Sequence, residues 1–285
     1  MTDQAPVSPQ DTEQSSPADK PAQPLLLLKA ESLRKISDLE VIAGLPELVQ
    51  HDIAVVSLDF TDLVVGGVFR NPEEAVKRLT SPQSKLLLAL SKRGKRELVF
   101  CGLAHIPVVA LIGHLVTDRQ KVHVLDFHPS PGSQAWAWPG TGGDFPQLIT
   151  QGFPQKVKAV NGDAVIRVSV TYQVSAEQTN AIVPNPVLSI NLAVSEPVRD
   201  IITSEAQVRA YGHAFRQTLD KIARDFPGVK RVHLFYAGPV SLAFHLGQQI
   251  SENIHPPVVV WNYHRGYDWG IDLAQALHSG DGVLY

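Results

Sequence analysis

The feature that most constrains the fold is a segment that occurs twice in the chain. Residues 98–116 (LVFCGLAHIPVVALIGHLV) and 232–250 (VHLFYAGPVSLAFHLGQQI) each have the pattern of a strand, a turn of small residues with a proline, and a helix containing one glycine. In the alignment Phe100 matches Phe235 and Gly113 matches Gly247. A duplicated α/β unit predicts two half-domains related by a pseudo-two-fold axis.

Both copies continue in the same way. Each leads into an apolar strand that ends in an aromatic residue and a histidine, within Asp126–His128 in the first copy and Asn262–His264 in the second. Tryptophans follow each strand: Trp136 and Trp138 in the first copy, Trp269 in the second. We expect these aromatic clusters to occupy corresponding places in the two halves.

Short β-branched runs alternate with amphipathic segments from residue 53 onward. This alternation predicts crossover units and two Rossmann-like half-domains with mainly parallel sheets, an α/β fold. The predicted strands are Ile53–Phe60, Glu97–Cys101, Lys121–Phe127, Ala164–Tyr172, Val187–Val194, Arg231–Ala237 and Val258–Tyr263. The predicted helices are Pro72–Ser91 (which Pro82 could break), Ile106–Val116, Ser175–Ile182, Ser204–Asp225 and Pro239–Ile250.

Composition shifts divide the chain into four parts. Residues 1–24 hold five prolines among polar residues and predict a disordered tail. Residues 25–51 are interpreted as an N-terminal linker or docking segment that could contain one short strand or helix. Residues 52–155 and 156–285 are the two predicted halves, and a Pro- and Gly-rich connection over 129–154 closes the first.

Overall composition excludes several classes of protein. A formal charge of −3 argues against a protein that coats long DNA or RNA. A single cysteine excludes an intramolecular disulfide and a cysteine-rich zinc site, and the histidines lack metal-ligand spacing. No apolar run approaches the roughly 20 residues that span a bilayer, and the polar N-terminus does not resemble a secretory signal. We therefore expect a cytoplasmic protein without a membrane or metal partner.

Ligands of open parallel sheets bind outside the carboxyl ends of the strands. Unpaired amides at the helix starts Ile106 and Pro239 favour phosphate, and an aromatic stack contributes roughly 1–3 kcal/mol per base. This combination suits a small oligonucleotide better than a dinucleotide cofactor. The candidate ligand-binding residues are Phe60, His105, Ile106, Phe127, His128, Trp136, Trp138, Tyr172, Gly238, Pro239, Ser241, Tyr263, His264 and Tyr267.

Structural roles compete with several of these assignments. The His105-Ile106 and Gly238-Pro239 pairs fit ordinary helix starts as well as ligand contacts. Of Trp136 and Trp138, one is expected to pack internally and the other to contact ligand or an interface. Trp261 and Cys101 fit the core. The basic run Lys92–Arg96 fits a solvated turn.

The two repeat segments, followed by VLDFH and AWAWPG in the first copy and VVVWNY in the second, resemble the SAVED domain family (SMODS-associated and fused to various effectors). The likeness spans about Ile53 to Leu277. It implies two fused CARF-like units that sense a cyclic oligonucleotide, such as a cyclic oligoadenylate, in anti-phage CBASS or type III CRISPR defence. It also implies head-to-tail oligomerisation. Because only about 50 residues precede the core, the effector is expected either on a separate chain or to be absent.

Two other functions remain open from the residues. One is a metal-independent nuclease that cleaves the same ligand by positioning its ribose 2′-hydroxyl, with help from His105, His128 or His264. The other is a docking scaffold that recruits a partner through the N-terminal tail and residues 25–50. The sequence carries no recognisable catalytic motif or effector domain, so a non-enzymatic sensor is the leading hypothesis.

Overall fold

The computed structural model describes residues 25–45, 52–91, 97–129, 135–140, 142–156 and 159–285. The predicted tail over 1–24, the end of the predicted linker over 46–51 and the basic run Lys92–Arg96 lie outside the described residues.

The described residues alternate between strands and helices along most of the chain. The strands are β1 Leu25–Glu31, β2 Ile53–Asp59, β3 Val64–Val65, β4 Val68–Phe69, β5 Glu97–Leu103, β6 Val122–Val124, β7 Ile149–Gln151, β8 Gly162–Ser169, β9 Leu188–Ala193, β10 Val229–Ala237, β11 Val258–Tyr263, β12 Tyr267–Asp272 and β13 Val283–Leu284. The helices are α1 Asp38–Ala43, α2 Pro72–Thr80, α3 Lys85–Ser91, α4 Ile106–Val116, α5 Ala176–Ile182, α6 Glu205–Asp225, α7 Val240–Gln248 and α8 Leu273–Ser279.

Two sheets share one strand order. The first sheet runs β2-β1-β5-β6 and is parallel throughout. The second runs β13-β12-β11-β10-β8-β9-β7, and its inner strands β9-β8-β10-β11 are parallel. In the first sheet β1 lies between β2 and β5, and in the second sheet β8 lies between β9 and β10 in the same way. Helix α4 connects β5 to β6, and helix α7 connects β10 to β11. The predicted α/β fold of two duplicated halves is confirmed.

The assignment of residues 25–51 as a linker outside the first half is wrong for its first segment. Leu25–Glu31 is the inner strand β1, paired with β2 on one side and β5 on the other. All seven of its residues are buried. A parallel strand covered on both faces has a continuous apolar run instead of alternation, so the LLLL run by itself does not distinguish a sheet strand from a short helix. The first half therefore starts at Leu25.

Helices α4 and α7 pack against each other at the centre of the molecule. A Cβ added to Gly113 would lie 2.0 Å from the carbonyl oxygen of Phe244, and one added to Gly247 would lie 2.1 Å from that of Ala110. Because Gly113 corresponds to Gly247 and Ala110 to Phe244, the two contacts are the same contact repeated about the pseudo-two-fold axis. The repeated glycine of the sequence thus joins the two halves.

The structure corrects the register of the sequence alignment by one residue. Phe100 faces the core between the halves and stacks on Phe244 with ring centroids 3.9 Å apart, whereas Phe235 faces a separate core on the outer side of the second sheet. Successive strand residues point to opposite faces, so these two phenylalanines are not equivalent. The tryptophans do not correspond either, because Trp136 belongs to the outer core of the first half and Trp269 to the central core.

Two connections differ from the expected elements. The predicted helix over 72–91 is interrupted around Pro82 and forms α2 and α3, as proline in a helix interior requires. The connection over 129–154 contains β7, which adds an antiparallel edge to the second sheet. Beyond Tyr263 the chain turns back as β12 and β13, which are also antiparallel.

Candidate functional site

A cavity of about 250 Å³ lies where the two halves meet, at the carboxyl ends of β5, β8 and β10 and beside the segments that follow β6 and β9. This is the edge at which open parallel sheets bind ligands. The cavity wall combines residues from both repeats: Leu103, Asp126, Phe127, His128, Thr171, Tyr172, Arg199, Asp200, Ile201, Ile202, Gly238, Pro239 and Val240.

The N-terminus of α7 forms one wall of this cavity. Pro239 is the N-cap residue and provides no side-chain cap. The Tyr236 hydroxyl donates to the Pro239 carbonyl oxygen over 2.7 Å, which fixes the turn. The same hydroxyl would lie 2.3 Å from a Cβ at position 238, so the approach of strand and turn requires Gly238. The first amides of α7 have no acceptor within the helix.

A carboxyl group from the other half lies in the same cavity wall. Asp126, just beyond β6, lines the cavity together with Gly238, Pro239 and Val240 at the start of α7. The pKa of Asp126 is raised to about 7, chiefly by burial and in smaller part by the negative charge of Asp200, against the lowering effect of the nearby polar groups of Phe127 and Ser241. The cavity therefore contains a carboxyl group that exchanges its proton near neutral pH.

The rim of the cavity carries a cation and an aromatic face. Tyr172 is 56% exposed, and its hydroxyl accepts a hydrogen bond from Nη2 of Arg199 over 3.1 Å. Arg199 is exposed and forms no ion pair among the described residues. Sequence analysis identified Tyr172 but missed Arg199. One sequence feature could have identified Arg199: it lies in the connection that follows the predicted strand β9, and ligands bind at the carboxyl ends of such strands.

Phe127 and His128 reach the cavity but have partly occupied surfaces. The guanidinium of Arg34 lies 4.6 Å from the ring centroid of Phe127, and the ring of Trp136 lies 5.4 Å away. Burial lowers the pKa of His128, so its imidazole is neutral at pH 7. Nε2 of His128 is buried and has no hydrogen-bond partner among the described residues.

The N-terminus of α4, the counterpart of α7, is covered. Phe69, from β4, packs edge-on against the ring of His105 at 4.9 Å and lies 5.3 Å from Trp269. Nδ1 of His105 is 2.8 Å from Oγ of Ser32. Burial lowers the pKa of His105 to about 4, with an opposing effect of Asp268 and a small further lowering by His264. The covered start of α4 is therefore the place of three predicted contacts that do not line the cavity, His105, Ile106 and His264.

Three predicted contacts are corrected by burial. Phe60 is 1% exposed and Trp136 is 0% exposed, so their side chains fill cores and present no free face for a base. The side chain of Ser241 is also fully buried, and its Oγ has no hydrogen-bond partner among the described residues. Trp138 is partly buried, and its indole N–H donates to the carbonyl oxygen of Val124 over 2.9 Å. Trp136 is thus the internal member of the pair.

Tyr263 and Tyr267 lie together on the outer side of the second sheet. Their ring centroids are 5.1 Å apart, and Tyr267 packs edge-on against Phe235 at 4.6 Å. Tyr263 is 52% exposed, and its hydroxyl accepts from the Gln178 amide over 3.4 Å. Neither tyrosine lines the cavity. The aromatic residues of the sequence hypothesis are therefore distributed over separate places.

The described part of the chain contains no cluster of three or more potential metal ligands. Among the same residues, no helix is both long enough and apolar enough to cross a bilayer. Cys101 is buried, and burial raises the pKa of its thiol.

Comparison with known proteins agrees with this architecture. Two solved structures have a similar fold. Both are of the Acinetobacter baumannii Cap4 SAVED/CARF-domain containing receptor, one with the cyclic trinucleotide 3′3′3′-cAAA and one with 2′3′3′-cAAA. Their TM-scores are 0.52 and 0.51, each at 13% identity and over 87% of this chain. The chain spans 50% of the length of those receptors. None of the curated proteins compared matches it.

A family model gives the more direct assignment. The model of the SMODS-associated and fused to various effectors sensor domain matches residues 83–273. This range begins just before α3, ends at the first residue of α8, and includes both copies of the repeat and the residues that line the cavity. The chain belongs to the SAVED family.

Proposed function

We propose that this chain is a sensor that binds a cyclic oligonucleotide at the cavity between its two halves. The observation that carries the proposal is the combination, around one opening, of an exposed tyrosine, helix-start amides and an arginine that forms no ion pair with any described residue. An aromatic face suits a base, and a guanidinium suits the phosphate that links two nucleosides. Cyclic oligoadenylates carry both groups in every repeating unit.

The size of the cavity indicates how such a ligand would bind. A volume of about 250 Å³ is below the range of roughly 300–1,000 Å³ that encloses a drug-sized ligand. We infer that one nucleotide of the ring enters the cavity and that the rest of the ring lies over the rim at Tyr172 and Arg199. The remaining surface of the ring would then be free to contact a second protein chain.

That geometry supports the second part of the proposal, which is oligomerisation. A ligand shared between two copies binds the assembled state more tightly than the separate chains, and this difference is the condition for coupling. The assembly would be head-to-tail and would activate an effector on a separate chain in cytoplasmic anti-phage defence, of the CBASS or type III CRISPR kind. Membership of the SAVED family and the cAAA-bound receptors of similar fold support this choice of ligand class.

Titration calorimetry and light scattering with a panel of cyclic di-, tri- and tetranucleotides test the proposal. We expect one member to bind with at least micromolar affinity and to increase the scattering mass. A linear oligonucleotide of the same bases is the control and should do neither. Absence of binding by the whole panel would refute the sensor function.

One observation favours a second candidate function, cleavage of the same ligand. His128 lines the cavity as a neutral imidazole, and its Nε2 has no partner among the described residues. A neutral imidazole in this place could accept a proton from a ribose 2′-hydroxyl. Labelled ligand incubated for hours with the protein decides the matter, since cleavage that His128→Ala abolishes would support the nuclease and intact ligand would exclude it.

A further inference from the structure

We propose that the outer side of the second sheet contains a separate ligand site, in which Arg167 binds a dianionic phosphate group. This face of the sheet lies opposite the central core and away from the cavity between the halves. The inference therefore does not depend on the proposed sensor function. Inorganic phosphate and the monoester end of a nucleotide present the same chemistry, and the test separates the two sources.

The first half shows how a buried cation on the outer face of a sheet is compensated. Lys29, on the inner strand β1, is 6% exposed. Its Nζ lies 2.6 Å from Oδ1 of Asp38 and 3.6 Å from Oε1 of Glu31. It also donates to the carbonyl oxygen of Ile36 over 2.8 Å. Two carboxylates therefore face one ammonium group.

Arg167, on the inner strand β8, is the counterpart of Lys29 in the second half. Lys29 pairs in register with Cys101 of β5, and Arg167 pairs with Phe235 of β10. Cys101 and Phe235 each precede the repeated glycine of their half by twelve residues. The two cations thus occupy the same place in the duplicated fold.

Serine replaces the first of the two carboxylates. In the first half the backbone N–H of Ile36 donates to Oε1 of Glu31 over 2.6 Å. In the second half the backbone N–H of Val174 donates to Oγ of Ser169 over 3.0 Å. The same backbone contact is kept, but the acceptor in the second half carries no charge.

Alanine replaces the second carboxylate. Asp38 is the first residue of α1, and Ala176 is the first residue of α5. Each lies nine residues after the buried cation of its half. The first half therefore has two negative charges beside Lys29, whereas the second half has none at the corresponding positions beside Arg167. A dianion would restore that difference.

Hydroxyl groups orient Arg167 without neutralising it. The side chain is 7% exposed, its Nε donates to Oγ1 of Thr179 over 2.8 Å, and its Nη1 donates to Oγ of Ser189 over 2.9 Å. Arg167 forms no ion pair with any described residue. Burial lowers the pKa of Arg167, against an opposing effect of Tyr267. An unpaired charge in such a place is costly, and a bound anion would remove the cost.

The second sheet leaves an approach to Arg167 from the side of β9. Ser189 is exposed. Asn191 is paired in register with Arg167, and its Oδ1 is buried without a hydrogen-bond partner among the described residues. An unsatisfied polar group beside an unpaired charge points to a missing ligand. A guanidinium can bind two phosphate oxygens at once, which suits this site to a phosphate.

The test uses the full chain and inorganic phosphate as the probe. The melting temperature is measured as chloride is replaced by phosphate at constant ionic strength, and again with AMP. An anion at ten times its dissociation constant shifts the folding equilibrium about elevenfold, so we expect a rise of about 2–4 °C for a chain of this size. A larger rise with AMP than with phosphate identifies a nucleotide monoester, and an equal or smaller one identifies inorganic phosphate.

Arg167→Met should abolish the rise with either probe. Without phosphate this variant should melt no lower than wild type, because the substitution removes an uncompensated charge and keeps an apolar side chain in its place. Arg199→Gln is the control for the cavity between the halves, and it should retain the full rise.

A second variant tests the site without removing Arg167. Ala176→Asp supplies the carboxylate that Asp38 supplies in the first half, at a position that is exposed. It should raise the melting temperature in the absence of phosphate and lose the response to phosphate. An acidic residue in the first turn also stabilises a helix by itself. The gain should therefore be larger with Arg167 present than in the Arg167→Met background.

Four outcomes would overturn the site: no rise in wild type, a rise that Arg167→Met retains, a rise that Arg199→Gln removes, or Arg167→Met melting well below wild type without phosphate. The last would show that the two hydroxyls already stabilise the charged guanidinium. A gain from Ala176→Asp that is equal in both backgrounds would also contradict it. None of these results bears on binding of a cyclic oligonucleotide at the cavity, so the sensor function is tested separately.

Discussion

The two halves of this protein share a strand order and a central helix but use the starts of those helices differently. The start of α7 opens onto a cavity, whereas the start of α4 lies beneath Phe69. The difference comes from equivalent connections, each of which follows the second strand of its half. After β2 the chain forms the β3–β4 hairpin, whose Phe69 covers α4. After β9 it forms a loop that carries Arg199 and Asp200 along the cavity wall.

The comparison shows which parts of the two halves are alike and which parts differ. The reciprocal glycine contacts between α4 and α7 preserve the pseudo-symmetry at the centre, because close-packed helices tolerate no added atoms there. The connections are at the surface and can differ without changing the sheets. The first half therefore covers the start of α4 with Phe69, whereas the second half leaves the start of α7 open beside Arg199 and Asp200.

The largest effect is expected where the halves are alike. Gly113→Ala and Gly247→Ala would each place a Cβ about 2 Å from a backbone carbonyl oxygen of the partner helix. Each should lower the free energy of unfolding by about 3 kcal/mol or more, at the upper end of overpacking. Urea denaturation measures this cost. Because the two contacts are related by the pseudo-two-fold axis, the two variants should lose similar amounts of unfolding free energy. The double variant should lose less than the sum, because both changes affect the same helix–helix contact.

The control for the glycine pair is Gly266→Ala. Nothing lies within 4 Å of a Cβ at that position, and its backbone does not have positive φ. Its stability should change by no more than about 0.5 kcal/mol. A wild-type-like Gly113→Ala protein would mean that the helices do not meet as closely as described.

The second prediction asks whether the ligand binds at the cavity between the halves or at the outer side of the second sheet. Tyr172→Ala and Arg199→Ala should each weaken binding of the cyclic oligonucleotide by roughly 1–3 kcal/mol, about 5- to 150-fold, through loss of a base stack or a phosphate contact. Tyr263→Ala is the matched control because Tyr263 is about equally exposed but lies away from the cavity. Calorimetry should find its affinity unchanged. The reverse result would move the site to the second sheet's outer side.

The smallest effects are expected from two ionisable groups, one at each helix start. The pKa of His105 falls to about 4, so between pH 6.5 and 4 the unfolded chain binds a proton that the folded chain does not. This group's contribution to stability is therefore complete above pH 6.5 and is lost as the pH falls towards 4. His105→Asn should reduce the acid-induced fall in melting temperature by a few degrees, whereas His213→Asn, on the exposed side of α6, should not.

Asp126 should act in the opposite direction over the same pH range. Its pKa rises to about 7, so the folded chain keeps a proton that the unfolded chain releases above about pH 3.8. Its effect on stability becomes less favourable as the pH rises from 3.8 to 7. Melting curves of Asp126→Asn should therefore show a gain over wild type at pH 7 that shrinks towards pH 4. A constant difference across the range would contradict the assigned protonation.

Much of the fold could be predicted from local patterns. The helix at Glu205–Asp225 and the strand at Val258–Tyr263 agree closely with their predicted bounds, because a Ser204 cap and a β-branched run are local signals. The strand Tyr267–Asp272 is not predicted, and for Leu25–Glu31 the sequence leaves strand and helix open and places the segment outside the first half. Their identity depends on which strands lie beside them, and sequence periodicity carries no information on such neighbours.

The predicted ligand contacts and the cavity overlap only in part. Five of the predicted residues line the cavity, and their role in ligand binding stays a prediction: Phe127, His128, Tyr172, Gly238 and Pro239. Arg199 was missed, and Phe60 and Trp136 were included although they are buried. Aromatic residues near strand ends serve cores and ligands alike, and local sequence does not distinguish the two uses.

The sequence by itself determined the duplication, the alternation of strands and helices, and the glycine at which the two halves meet, because each is written in local pattern and spacing. Only the tertiary structure decided that α7 opens to solvent while α4 is covered, and that Asp126 lines one cavity with the start of a helix more than 100 residues away. These outcomes depend on which distant segments occupy the same space. Such competition is settled only when the whole chain is packed.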